Sequence, residues 1–111
     1  MQDPNLIDTG ELKAKLDGGD SVTLVMTLGE WEYRTMHIPG SMRVSTVQEA
    51  LKALDPEDEI VLYDSGPSCP ASRMALRILK DHGYERVRRY AGGLEAWATA
   101  GYPLEGESVE Q

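Results

Sequence analysis

At 111 residues, with 41% hydrophobic and 27% charged positions, the chain has the size and composition of one soluble domain built on a single core. A formal net charge of −8, from 19 acidic against 11 basic residues, argues against a nucleic-acid-binding surface and is first a statement about solubility. No apolar run approaches the roughly 20 residues a bilayer span requires, and the opening Met1-Gln2-Asp3-Pro4 lacks the basic-then-apolar layout of a signal peptide, so a cytoplasmic protein with no membrane partner is expected.

In chain order, Asp8-Thr9-Gly10-Glu11 carries a capping acceptor with a glutamate three residues on. Leu12 and Leu16 supply an apolar edge and Gly18-Gly19 a stop, which predicts a short first helix. Val22 to Met26 is an unbroken apolar run expected to form a buried strand. Glu30 to Arg34 then reads as a short helical turn, and His37-Ile38-Pro39-Gly40-Ser41 as a turn. Ser45 with Gln48 resembles a capping box. Val47, Ala50, Leu51 and Leu54 fall at i, i+3, i+4 and i+7 and predict an amphipathic helix ended by Asp55-Pro56.

The most informative stretch follows. Ile60-Val61-Leu62-Tyr63 is rich in β-formers without polar alternation, as in a strand buried on both faces of a parallel sheet. Asp64-Ser65-Gly66-Pro67-Ser68-Cys69 is a loop of turn formers. From Pro70 onward the period becomes helical, with Ala71, Ala75, Ile78 and Leu79 on one face and Gly83 at the expected left-handed stop. In a strand, tight loop, helix unit the loop amides and the helix N-terminus converge and favour an anion. Asp64 at the mouth of the strand and Cys69, expected in the first helical turn, are the groups offered to that point.

Val87 to Tyr90 is expected to be a short strand, Ala91-Gly92-Gly93 a turn and Leu94 to Ala100 a last helix; residues 105–111 read as a polar, frayed tail. Residues 1–111 thus read as one domain with its core over about 6–104. Alternating helices and strands with short connections predict an α/β fold of three layers, a central and mostly parallel sheet with helices on both faces. The functional crevice of such a sheet lies at the carboxyl ends of its strands, where the Asp64 to Cys69 loop stands.

The chain resembles the rhodanese-like (sulfurtransferase) domain family over about Leu6 to Leu104. The resemblance is carried by Trp31-Glu32-Tyr33 followed by His37-Ile38-Pro39-Gly40-Ser41, by the strand Ile60 to Tyr63 and its loop, by Leu79 to Tyr84, and by Ala91-Gly92-Gly93-Leu94-Glu95-Ala96-Trp97 leading to Ala100-Gly101-Tyr102-Pro103. It implies an α/β domain with a central parallel sheet. It also implies that the residue directly after the central strand is a persulfide-bearing cysteine, and here that residue is Asp64. The Asp-Val-Arg that usually ends the earlier strand is replaced by Met26-Thr27-Leu28, and Met36 stands where a glycine usually precedes the histidine. Cys69-Pro70-Ala71-Ser72 looks like a subset of the family with a second cysteine at the end of the loop.

Asp64 has two readings: a fixed anion that occupies the loop's own anion site in place of a charged sulfur species, or a loop aspartate bonding the N–H groups that follow it. Under either, persulfide chemistry at residue 64 is lost. A phosphoryl-transfer role is disfavoured because Gly66 stands where a second carboxylate would be needed. Cys69 is a packed thiol or a reactive one assisted by Arg73 one turn on, with the charge of Asp64 opposing thiolate formation. A lone cysteine without a second soft ligand nearby gives no reason to expect a metal site, and no cofactor is expected. His37 and His82 read as a structural turn residue and a helix C-terminal partner, Trp31 and Trp97 as packing residues. Two functions compete: a non-catalytic binding or regulatory module whose partner is a protein or a small anionic sulfur species, and a sulfurtransferase or sulfur carrier that uses Cys69.

Overall fold

A computed structural model describes residues 4–44 and 46–108. Its four strands are β1 (Val22–Met26), β2 (Met42–Arg43), β3 (Glu59–Tyr63) and β4 (Val87–Tyr90), and its five helices are α1 (Thr9–Asp17), α2 (Glu30–Thr35), α3 (Val47–Ala53), α4 (Ala71–Asp81) and α5 (Gly93–Thr99). The strands form one parallel sheet in the order β2-β1-β3-β4, with Met26 level with Tyr63 and Tyr63 level with Tyr90. This is the α/β architecture expected.

Side chains on a strand alternate between faces, and the alternation splits the core in two. Leu24, Met26, Val61, Tyr63 and Tyr90 pack toward Leu12 of α1 and Trp97 of α5, joined by Ile7 and Ile38. Val25, Ile60, Leu62 and Val87 pack on the opposite face with Ala50 and Leu54 from α3 and its end, Leu79 of α4, and Tyr84. Ile60 through Tyr63 are all at most 1% exposed, which explains why that strand carries no polar alternation. Buried hydroxyls are satisfied: Tyr84 Oη donates to the Leu54 carbonyl at 2.7 Å, and Tyr90 Oη pairs with Thr9 Oγ1 at 2.7 Å.

The helix ends follow their local chemistry. Asp8 caps α1 by accepting from the Glu11 N–H at 2.7 Å, as its spacing predicts. The cap of α3 is Thr46, whose hydroxyl accepts from the Glu49 N–H at 3.1 Å. The expected box began one residue earlier, at Ser45, which lies outside the described residues. Gly83, at φ 89°, ends α4 where a side chain would be strained. His82 Nδ1 lies 2.8 Å from the Ile78 carbonyl, the C-terminal partnership expected of it.

Three features depart from expectation. β2 is only two residues long and has no apolar run to announce it; its pairing with β1 through Val25 and Met26 creates it. The segment after Leu104 does not fray at once. His37 and Glu105 exchange both backbone hydrogen bonds, at 2.8 and 2.9 Å, and the N–H groups of Glu107 and Ser108 donate to Arg34 and Thr35. Trp31, expected to pack, is 71% exposed on α2, whereas Trp97 is 2% exposed and donates its Nε1 hydrogen to the Pro103 carbonyl.

At the other edge, the N–H of Arg89 donates to the Asn5 carbonyl at 2.7 Å and the N–H of Ile7 to the Arg89 carbonyl at 3.1 Å, so the N-terminal segment covers β4. Near the amino ends of the strands, Glu59 meets Lys15 at 3.0 Å and Arg88 at 3.3 Å. Burial pushes its pKa up, but the hydrogen bonds and charges of these two cations outweigh that and hold the carboxyl below its ordinary value. With β2 on one side of β1 and β3, β4 on the other, the strand order reverses between β1 and β3. The switch point, where ligands of open α/β sheets bind, is therefore at Thr27 and Asp64.

Candidate functional site

Asp64 leaves the end of β3 directly into the core, with 0% exposure. Its carboxylate is held from two directions: the Gly66 N–H donates to Oδ1 at 3.2 Å and the Ser72 N–H, in the first turn of α4, donates to Oδ2 at 2.8 Å. The first bond is the local one that an aspartate makes two residues ahead in a turn. The second spans eight residues and needs the loop to fold back over the strand end, where the helix N-terminus presents its free donors. The side chain is thus a turn aspartate toward Gly66 and a tertiary acceptor toward the start of α4.

The loop is clamped from the α5 side. The N–H groups of Leu94 and Glu95 donate to the carbonyls of Asp64 and Ser65 at 3.0 and 2.9 Å, so the first turn of α5 satisfies its own free donors on the loop. Gly93 makes this approach possible. It sits at φ 59°, and a Cβ there would stand 2.4 Å from the Asp64 carbonyl oxygen and 2.8 Å from the Gly66 nitrogen. That contact explains Gly93, whereas a Cβ at Gly92 would stand 2.5 Å from the Ala96 Cβ within α5.

Under the loop, Tyr63 is 0% exposed. Its hydroxyl accepts from the Ile38 N–H at 3.0 Å and pairs with Ser41 Oγ at 2.7 Å, fastening the His37 to Ser41 turn to the central strand. Burial raises the phenol to about 12, with the Ser41 and Ile38 hydrogen bonds opposing. His37 is a structural residue of that turn: its ring stacks on Tyr33 with centroids 4.0 Å apart, and Nδ1 lies 2.7 Å from the Tyr33 carbonyl.

Cys69 is half-buried, but it precedes α4 rather than lying in its first turn, since the helix begins at Ala71. Its N–H donates back to the Gly66 carbonyl at 3.1 Å and closes the loop. Ser65, Pro67 and Ser68 are exposed and Gly66 is buried. Arg73, expected to support the thiol, is exposed, and its side chain makes no hydrogen bond or ion pair among the described residues. The guanidinium that reaches the loop is Arg89. It is 6% exposed, donates from Nε to Ser72 Oγ at 2.7 Å, and directs Nη2 to the Cys69 carbonyl at 3.4 Å. Ser72 therefore links the two buried charges, its N–H on Asp64 and its hydroxyl on Arg89. Sequence reasoning passed over both residues, although a cationic pair inside the short strand Val87 to Tyr90 was the visible signal. In place of a strand-end Asp-Val-Arg, Thr27 donates its N–H and hydroxyl to the Tyr63 carbonyl at 3.0 and 3.2 Å, contacts that bind strand ends and offer no charge.

Among the described residues no group of three or more His, Cys, Asp or Glu side chains is placed to hold a metal ion. None of their helices is long and apolar enough to cross a membrane.

A parallel sheet in this order, a strand-end loop folded over the Asp64 carboxylate and a glycine, Gly93, pressed against that loop define an α/β domain built around its strand-end loop. The model of the rhodanese-like domain family matches residues 8–100. The solution structure of the rhodanese-like domain of the Alr3790 protein from Anabaena superposes with a TM-score of 0.85 at 28% identity, covering 97% of this chain and 82% of that one. A crystal structure of thiosulfate sulfurtransferase from Pseudomonas aeruginosa superposes with a TM-score of 0.75 at 25% identity, over 90% of this chain and 20% of that one. A curated relative, the HTH-type transcriptional regulator Rv0324 of Mycobacterium tuberculosis, is 35% identical over 101 residues, 89% of this chain; the match spans 44% of the regulator's length. The chain belongs to the rhodanese-like domain family.

Proposed function

We propose that this chain is a binding or regulatory rhodanese-like module that does not carry out thiosulfate sulfurtransfer. One observation carries the proposal: Asp64, the residue that the sequence resemblance aligns with the family's nucleophile, is a carboxylate that is fully buried and bonded to the Gly66 and Ser72 N–H groups. Sulfurtransfer through a persulfide requires a thiolate to attack a sulfane sulfur, and a carboxylate has no sulfur to extend. Asp64 also uses the donors that would receive an incoming anion, and its charge repels one. The similarity to a protein named as a transcriptional regulator supports a regulatory role, with a protein or a small anionic sulfur species as partner and no role for nucleic acid at this acidic surface. Its proposed setting is the cytoplasm, where a lone cysteine remains a free thiol. The test is a thiosulfate:cyanide sulfurtransferase assay on the purified chain. Thiocyanate formation equal to the protein-free control is expected, and turnover that heat denaturation abolishes overturns the proposal.

A second reading rests on Cys69, a half-exposed thiol at the end of the same loop. Its thiolate would attack the outer sulfur of a persulfide donor, forming the Cys69 S–S bond as the donor's S–S bond breaks and its thiolate leaves. Intact-mass measurement after incubation with such a donor tests this. A gain of one sulfur that Cys69→Ser abolishes supports the carrier reading, and an unchanged mass removes it.

A further inference from the structure

Between α3 and α4, a cavity of about 380 Å³ opens over the face of the sheet that carries Leu62. Val47 and Ala50 line it from α3, Met74, Ala75 and Ile78 from α4, and Thr27 from the carboxyl end of β1. Through Thr27 one part of its wall lies at the β1/β3 switch point. Its volume falls within the range of small-molecule sites, roughly 300–1,000 Å³.

The lining selects the chemistry of an occupant. In a chain with 19 acidic and 11 basic residues, none of the lining residues is charged. A charged group seated there would lose its hydration without gaining a counter-charge. The polar groups are the hydroxyls of Thr27 and Thr46. The Thr27 hydroxyl gives its hydrogen to the Tyr63 carbonyl and the Thr46 hydroxyl accepts from the Glu49 N–H, which leaves a lone pair on the first and a hydrogen on the second. Met74, on the rim, is 60% exposed although its side chain is large and apolar. An unbranched thioether in that position is suited to adapt its shape to a bound molecule.

We propose that the α3–α4 cavity binds a small uncharged organic molecule, an aliphatic or aromatic body with one hydroxyl or carbonyl directed to the threonines. This extends the regulatory reading by giving the module an effector class distinct from an anion, the class that Asp64 keeps out of the loop.

The test is a methyl and amide NMR titration of the full 111-residue chain with 1-octanol, and in parallel with octanoate, which has a tail of equal length and a charged head. Saturable shifts confined to Thr27, Val47, Met74 and Ile78 are expected with 1-octanol, and binding weaker by about tenfold or more with octanoate, whose charge must be desolvated. Ala75→Phe, which fills the cavity, is expected to weaken 1-octanol binding by at least about tenfold, since a hydrophobic pocket is felt through its apolar contacts. Met74→Glu changes an exposed side chain that the fold does not depend on, and is expected to weaken it likewise if the Ala75 variant does not fold. Linear shifts without saturation, equal binding of octanoate, shifts centred on the exposed Leu6 and Trp31, or affinity unchanged in whichever of the two variants folds overturns the proposal. None of these outcomes depends on the sulfurtransferase assay, so this inference and the regulatory reading fail separately.

Discussion

Asp64→Asn isolates the hydrogen bonds of the buried carboxylate at nearly constant shape. The carboxylate offers one oxygen to the Gly66 N–H at 3.2 Å and the other to the Ser72 N–H at 2.8 Å. An asparagine has one carbonyl oxygen and one NH₂ group, so it can accept from only one of these donors and must point its own hydrogens at the other. The retained bond falls from the charged class, about 1.5–3 kcal/mol, to the neutral class, about 0.5–1.5, and the abandoned N–H costs about 1–3 kcal/mol at a buried position. The expected loss is about 2–4 kcal/mol. Opposing it is the relief of desolvation when a buried charge is removed, which can make such replacements neutral or favourable. The Ser72 link to Arg89 at 2.7 Å tips the balance toward loss, because the neutral variant leaves that guanidinium buried without its nearby anion. With a urea m-value of about 2 kcal/mol/M, the unfolding midpoint should fall by about 1–2 M with m unchanged. Far-UV circular dichroism against urea measures it. A midpoint within about 0.3 M of the parent, or above it, would falsify the view that Asp64 is an anion seated by the loop.

Tyr63→Phe should cost about 1–3 kcal/mol in chemical denaturation, since the Ile38 N–H at 3.0 Å loses its buried acceptor. The phenol is raised from 10.0 to about 12 in the folded chain, so its protonated form is favoured by folding. That contribution is complete below pH 10 and is lost as pH rises toward 12; the Phe variant should show a flatter stability profile over this window, and an identical slope counts against burial of the hydroxyl. Gly93→Ala must place a Cβ 2.4 Å from the Asp64 carbonyl oxygen at φ 59°, and a loss of about 3 kcal/mol or failure to fold is expected in expression and thermal melting; a Tm within a degree or two of the parent would refute the close approach of α5 to the loop. Arg89→Met removes a charged hydrogen bond to Ser72 worth about 1.5–3 kcal/mol. Differential scanning calorimetry should show a Tm lowered by roughly 5–15 °C, and an unchanged Tm means that the guanidinium does not hold the loop.

Local chemistry in the sequence determined the elements. The run Ile60 to Tyr63 has to be a doubly buried strand because it offers no polar face, and the Asp8 to Glu11 spacing has to start a helix because it supplies the acceptor that the free N–H groups require. The family was likewise legible from residue order alone. What the sequence could not contain was anything that depends on two distant segments meeting. β2 exists only because β1 offers it an edge, and residues 105–108 are ordered only because residues 34–37 present free backbone groups. Trp31 and Trp97 are chemically identical, and only the position of their helices sends one to water and the other into the core. The site shows the same division. Asp64 bonding Gly66 is a two-residue affair that a turn aspartate announces, whereas the bond from Ser72, the support of Arg89 in place of Arg73 and the approach of Gly93 join positions up to 29 residues apart on α4, β4 and α5. Their partners are set by the crossover connections of a parallel sheet, which bring the ends of β3 and β4 and the starts of α4 and α5 to one side, and no local propensity encodes that meeting.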